Sequence, residues 1–119
     1  MPKVTLRQGV YVGNSKAKTH IYRGIPYAPP IAKRFEQPQP LLESNEEASA
    51  KDLASNYPQL TSRFAFLNGN WHSTTKYDEK SSAILSVYAP ESASSGGLLP
   101  AIVWVHGGAW VTGGSQLLK

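Results

Sequence analysis

The sequence contains no cysteine, so disulfide bonds and thiolate metal sites are excluded and a reducing compartment, the cytoplasm, is the simpler expectation. It also has no Asn-x-Ser/Thr acceptor for glycosylation. No stretch approaches the roughly 20 apolar residues that a membrane span requires. The opening Met-Pro-Lys-Val-Thr-Leu-Arg lacks the apolar centre of a signal peptide. Acidic residues are missing from the first 35 positions, which carry seven Lys or Arg, whereas residues 36–119 carry five basic and eight acidic side chains. A basic half can mark a nucleic-acid footprint. These seven charges are scattered among strand-like and turn-like residues, with no recognition helix or stacking motif beside them. They read as solvated surface, and no nucleic-acid partner is expected. The glycines near the end are followed by no Gly-Lys-Ser/Thr, which excludes a phosphate-binding loop of that type. No cofactor and no metal is expected, and there is no internal repeat.

What is present centres on Leu99 to Ser115. Ala101 to Val105 is an unbroken apolar run introduced by Pro100. Such a run predicts a strand covered on both faces, as in a parallel sheet between helices, with Ile84 to Tyr88 as its expected neighbour. His106-Gly107-Gly108 ends it. The two glycines allow positive φ and a close approach to whatever lies above the strand end, which is where open α/β sheets bind ligands. The chemistry suited to that place is stabilisation of an oxyanion by backbone N–H groups, since side chains would crowd the acyl group.

With 119 residues the chain is one domain at most, and its 40% apolar content permits a core. Val4 to Leu6 and Val10 to Val12, split by Gln8-Gly9, predict a small hairpin, with Gly13-Asn14-Ser15 as a turn and His20 to Arg23 as a third strand. Gly24 to Pro40 holds five of the nine prolines, which excludes helix there. Ser44 and Glu47 have the spacing of a capping box and predict a short helix within 45–54, one or two loose turns long. Asn68-Gly69-Asn70 signals a turn, and Ile84 to Tyr88 reads as a strand closed by Ala89-Pro90. His20 and His72 have no partner at a useful spacing and read as ordinary surface histidines.

Several segments together resemble the amino-terminal region of type-B carboxylesterases. They are Gly-Ile-Pro-Tyr-Ala at 24–28, Pro29-Pro30, Arg34-Phe35, the strand ending Val87-Tyr88, and Leu99 to Ser115. In that family Gly-Ile-Pro-Tyr-Ala leads from the first small strands into the body of the fold. The resemblance implies an incomplete α/β-hydrolase fold: N-terminal antiparallel strands plus the first strands of the central mixed sheet, with residues 1–119 as the N-terminal part of one domain. His106-Gly-Gly-Ala109 is similar to the family's His-Gly-Gly-Gly oxyanion loop. It implies an oxyanion hole at Gly107, Gly108 and Ala109, with the Gly108 and Ala109 N–H groups donating and Gly107 shaping the turn. Alanine at 109 suggests a more ordinary φ than glycine would take. The family's first disulfide would fall on Tyr57, in Tyr57-Pro58-Gln59 where the family has Cys-Pro-Gln, and on Ser82. Both half-cystines are therefore replaced together.

A serine hydrolase also needs a nucleophile, a base and an acid that orients the base. The nucleophile elbow Gly-x-Ser-x-Gly is absent; Gly114-Ser115 comes nearest but continues Gln116-Leu117. His106 precedes the place of the elbow, whereas the triad histidine of this fold comes last. The resemblance thus implies the N-terminal portion of a carboxylic ester hydrolase that acts through an acyl-serine intermediate. A small-molecule ester would be its partner, and this chain alone is expected to be inactive. The alternatives are a non-catalytic adhesion or binding relative and an inactive truncated gene product. Retention of a donor loop weighs against the binding module.

Overall fold

The computed structural model describes residues 1–37, 39–52, 55–59, 76–109, 111, 113 and 114. Six strands are found among them: β1 (Lys3–Leu6), β2 (Gly9–Val12), β3 (Asn14–Lys16), β4 (Thr19–Pro26), β5 (Glu47–Ser49) and β6 (Ile84–Pro90), followed by a 3-10 turn over Glu91–Ser95. They form two three-stranded sheets, ordered β1-β2-β5 and β3-β4-β6.

The first hairpin follows from alternation. In β1, Lys3 and Thr5 face outward while Val4 and Leu6 turn inward. These two pack on a cluster of Tyr11, Tyr22, Ile25 and Ala50, and β2 pairs antiparallel with Leu6 opposite Gly9. The second hairpin differs from expectation. Asn14–Lys16 is strand rather than turn, and the reversal is made by Ala17 and Lys18, both at positive φ (49° and 62°). Lys16 faces Thr19 directly across them, so this is a two-residue turn of the primed kind that matches strand twist. Its residues carry none of the Asn-Gly signal by which such turns are read.

β4 is the longest strand and holds β3 on one edge and β6 on the other. Its ladder with β6 shifts register between Arg23 and Ile25. The extra residue is Gly24, at φ 80°, a bulge in the conformation that glycine adopts without strain. The glycine of the Gly-Ile-Pro-Tyr-Ala segment therefore has a backbone reason, and the bulge lets the strand continue to Pro26 opposite Ile84.

Two further expectations are overturned. The capping box does not start a helix: Glu47–Ser49 is β5, parallel to β2. Ser44 Oγ does accept from a nearby backbone N–H, that of Glu46, but the Glu47 carboxylate turns away to Lys3 Nζ at 2.6 Å. Backbone bonds from Ser44 N to Arg7 O, from Val10 N to Glu46 O and from Ala50 N to Val12 O draw the segment against β2. A two-bond local motif loses to a row of pairings along an open sheet edge.

The second concerns Ala101 to Val105, which is not a strand in any described ladder. Ile102, Val103 and Val105 are 97%, 87% and 81% exposed. A strand of this composition is held by cover on both faces and a ladder on its edges. Among the described residues β6 pairs with β4 alone, so the run has no ladder on β6.

Candidate functional site

The loop from His106 to Gly114 lies directly after that apolar run. Gly108 and Ala109 sit in a turn, outside any helix or ladder, at φ 132° and 52°. The expectation of an ordinary φ at Ala109 is thus corrected: alanine here adopts the left-handed region that glycine favours. Of the glycine pair, only Gly108 has positive φ. The Val111 N–H donates to Gly108 O at 3.1 Å and closes the turn. His106 is exposed, with Nδ1 2.8 Å from Gly107 O, and its ring is tilted at 52° to that of Trp104 with centroids 6.4 Å apart. Trp110, Thr112 and Ser115 lie outside the described residues, as do Asn68 to Asn70 and His72. His20 lies elsewhere, on β4, where Nδ1 is 2.9 Å from Ser15 Oγ.

The loop leans on residues that the sequence reading left without a role. Gln59 Nε2 donates to Gly113 O at 2.8 Å, and Gly113 N donates back to Gln59 Oε1 at 2.7 Å. Gly113 in turn packs so tightly on Gly107 O and the His106 ring that a β-carbon there would collide with both. A β-carbon on Gly114 would collide with the Asn56 side chain. Asn56 is buried, and its Nδ2 has no hydrogen-bond partner among the described residues.

Asn56 is tied through its backbone to Lys76 O and Asp78 N, both at 2.9 Å, in a parallel bridge with Tyr77. Around this bridge stand the two positions where family resemblance would put half-cystines. Ser82 is buried, with its hydroxyl donating to Asp78 O. The Tyr57 hydroxyl is pushed up in pKa by burial first, then by the neighbouring Tyr27 and by Glu79. Hydrogen bonds therefore connect the two segments. A groove of about 440 Å³ lies beside them, lined by Pro26, Ala28, Pro30, Leu41, Lys80 and Ala83 among others.

Among the described residues no group of His, Asp or Glu is gathered as a metal site would need. No helix there is long and apolar enough to cross a membrane.

Comparison with known proteins places these features. The family model described as "Carboxylesterase family" matches residues 1–119. The chain is 33% identical to the para-nitrobenzyl esterase of Bacillus subtilis (strain 168), over 97% of this chain and 23% of that protein. It is 30% identical to carboxylesterase 5A of Canis lupus familiaris, over 93% of this chain and 20% of that one. In structure it is similar to a thermophilic PNB esterase, with a TM-score of 0.76 at 30% identity, covering 93% of this chain and 22% of that chain. The architecture is therefore part of an α/β-hydrolase fold, its two partial sheets matching the amino-terminal strands of these esterases. The chain belongs to the carboxylesterase family. It spans about a fifth of the length of the relatives it matches.

Proposed function

We propose that residues 1–119 form the amino-terminal portion of a carboxylic ester hydrolase that works through an acyl-serine intermediate. Gly107, Gly108 and Ala109 would supply part of its oxyanion hole. The carrying observation is the turn at Gly108 and Ala109, two consecutive residues at positive φ, separated from the apolar run 101–105 by His106 and Gly107. Attack on an ester carbonyl moves charge onto its oxygen, and preorganised N–H donors near 3 Å lower that barrier by a few kcal/mol. Small residues at 107–109 leave room for the acyl group. The sequence carries no Gly-x-Ser-x-Gly elbow, so on this reading residues 1–119 by themselves polarise a carbonyl that nothing attacks. They should neither hydrolyse a p-nitrophenyl acyl ester nor take up a fluorophosphonate probe.

The test grafts residues 1–119 onto the remainder of the Bacillus subtilis para-nitrobenzyl esterase and replaces Ala109 by lactic acid. That exchange turns the Gly108–Ala109 amide into an ester. It removes the Ala109 N–H and weakens the Gly108 carbonyl that accepts from Val111 N, so Val111 replaced by its own hydroxy acid serves as the control for the turn bond. The graft is expected to hydrolyse p-nitrobenzyl esters, and the replacement to lower kcat by about 10²–10³ with little change in KM. A replacement that leaves kcat intact overturns the donor role of Ala109.

A further inference from the structure

We propose that Gln59 is a positioning residue for the 106–114 loop, fixing the Gly108 and Ala109 donors by clamping Gly113. The proposal rests on the reading of 107–109 as donors and adds the device that holds them.

A chain of contacts leads from the core side to the loop. The bridge at Asn56 and Tyr77 anchors the segment that carries Gln59. The Gln59 amide then does for Gly113 what a neighbouring strand does for a residue in a ladder. It accepts from the N–H and donates to the C=O, at 2.7 and 2.8 Å. Gly113 lies against Gly107 O and the His106 ring with no room for a side chain, so a fixed Gly113 fixes the start of the loop as well as its end. Gly114, seated on the buried Asn56 side chain, braces the same point from the other side. Between the two ends, the Val111 N–H donates to Gly108 O and closes a turn. Only a side chain with one donor and one acceptor on a planar group reproduces both bonds. Among side chains with a planar amide or carboxyl those are Gln, protonated Glu and, one carbon shorter, Asn and protonated Asp.

That chemistry supplies the test. Hydrogen exchange by mass spectrometry on the 119-residue chain at low micromolar concentration reads protection in peptides covering 106–114. Peptides of β1 and β2 serve as the internal reference. In Gln59→Ala the loop is expected to exchange severalfold faster than in the wild type at every pH, with β1 and β2 unchanged. In Gln59→Glu, the carboxylate at pH 7 accepts from Gly113 N but repels Gly113 O, so loop protection falls. About one unit below the usual glutamate value of about 4.3, the neutral acid restores both bonds. Protection then returns to that of the wild type measured at the same pH.

Equal loop exchange in Gln59→Glu and wild type at pH 7 overturns the proposal. Loss of protection at 106–114 that does not recover on acidification also overturns it, as does loss shared by β1 and β2. Because exchange requires no catalysis, this result is independent of the lactic acid experiment. A clamped loop whose Ala109 N–H contributes nothing to kcat would reject the donor reading and leave the positioning role standing.

Discussion

Arg34 and Glu79 meet as a two-pronged pair, Nε to Oε1 at 2.6 Å and Nη2 to Oε2 at 2.8 Å. The pair joins the proline-rich segment after β4 to the turn before β6, two stretches with no ladder between them. Its planar geometry is the one in which arginine differs most from lysine.

This pairing predicts an acid-sensitive junction. The Glu79 carboxyl is held below its usual pKa, chiefly by the hydrogen bond from Arg34. Asp78 is lowered chiefly by its hydrogen bond from Ser81 and next by the Lys80 N–H. Groups depressed in the folded state contribute stability above their unfolded values, about 4.3 for Glu and 3.9 for Asp. That contribution is lost as pH falls through the lower folded values. The urea midpoint of the wild type is expected to fall on acidification from pH 5 toward 3, and that of Glu79→Gln to fall less. Parallel curves for the two proteins would contradict the assignment.

The reversal at Ala17 and Lys18 predicts a stabilising exchange. Both residues pay for left-handed backbone, at roughly 1–2 kcal/mol each for ordinary L-residues. Asn-Gly is the pair that such a turn favours. The double substitution Ala17→Asn, Lys18→Gly should raise stability by about 1–2 kcal/mol in urea unfolding.

Gly24 predicts the opposite sign. A β-branched residue at φ 80° is strained, and the bulge exists to keep β4 in step with β6 on both sides. Gly24→Val should cost about 1–2 kcal/mol by the same measurement. The loss should fall on exchange protection of Arg23 to Ile25 and Ile84 to Ser86 before that of β1 and β2.

The exposed run predicts self-association. Leu98, Ile102, Val103 and Val105 lie open on a run that has no ladder partner among the described residues, the arrangement that templates edge-to-edge contact. Light scattering should show oligomers that grow with concentration. Ile102→Lys with Val105→Lys should suppress them while leaving the β4–β6 ladder intact. A wild-type chain that stays monomeric at high concentration would contradict this.

The sequence is legible where pattern and partner are local. Val4 and Leu6 alternate with Lys3 and Thr5, so β1 and β2 are read from composition alone. The apolar run at 84–88 foretells β6 for the same reason, two residues short of its observed end. β5 is hidden because three residues, Glu47-Ala48-Ser49, are too few to show a period. Its existence depends on an edge of β2 that the local capping signal knows nothing about. Ala101 to Val105 shows the converse, an apolar pattern that specifies a strand but does not supply its neighbours. Gln59 is a polar residue in a loop, 54 positions from Gly113. The one available signal is that glutamine is kept in Tyr57-Pro58-Gln59 where the family's cysteine is not.

The place of β4 between β3 and β6 has a consequence for how the chain is made. Its β3 edge closes within a hairpin, an event of about 1–10 μs. Its other edge waits for residues such as Val87, opposite Tyr22 and about 65 positions later. At about 5–20 residues per second, synthesis leaves that edge open for several seconds. Through that interval Tyr22 and Ile25 lie on a strand with one bare side, and the ribosome, rather than the hairpin, sets how long it stays bare.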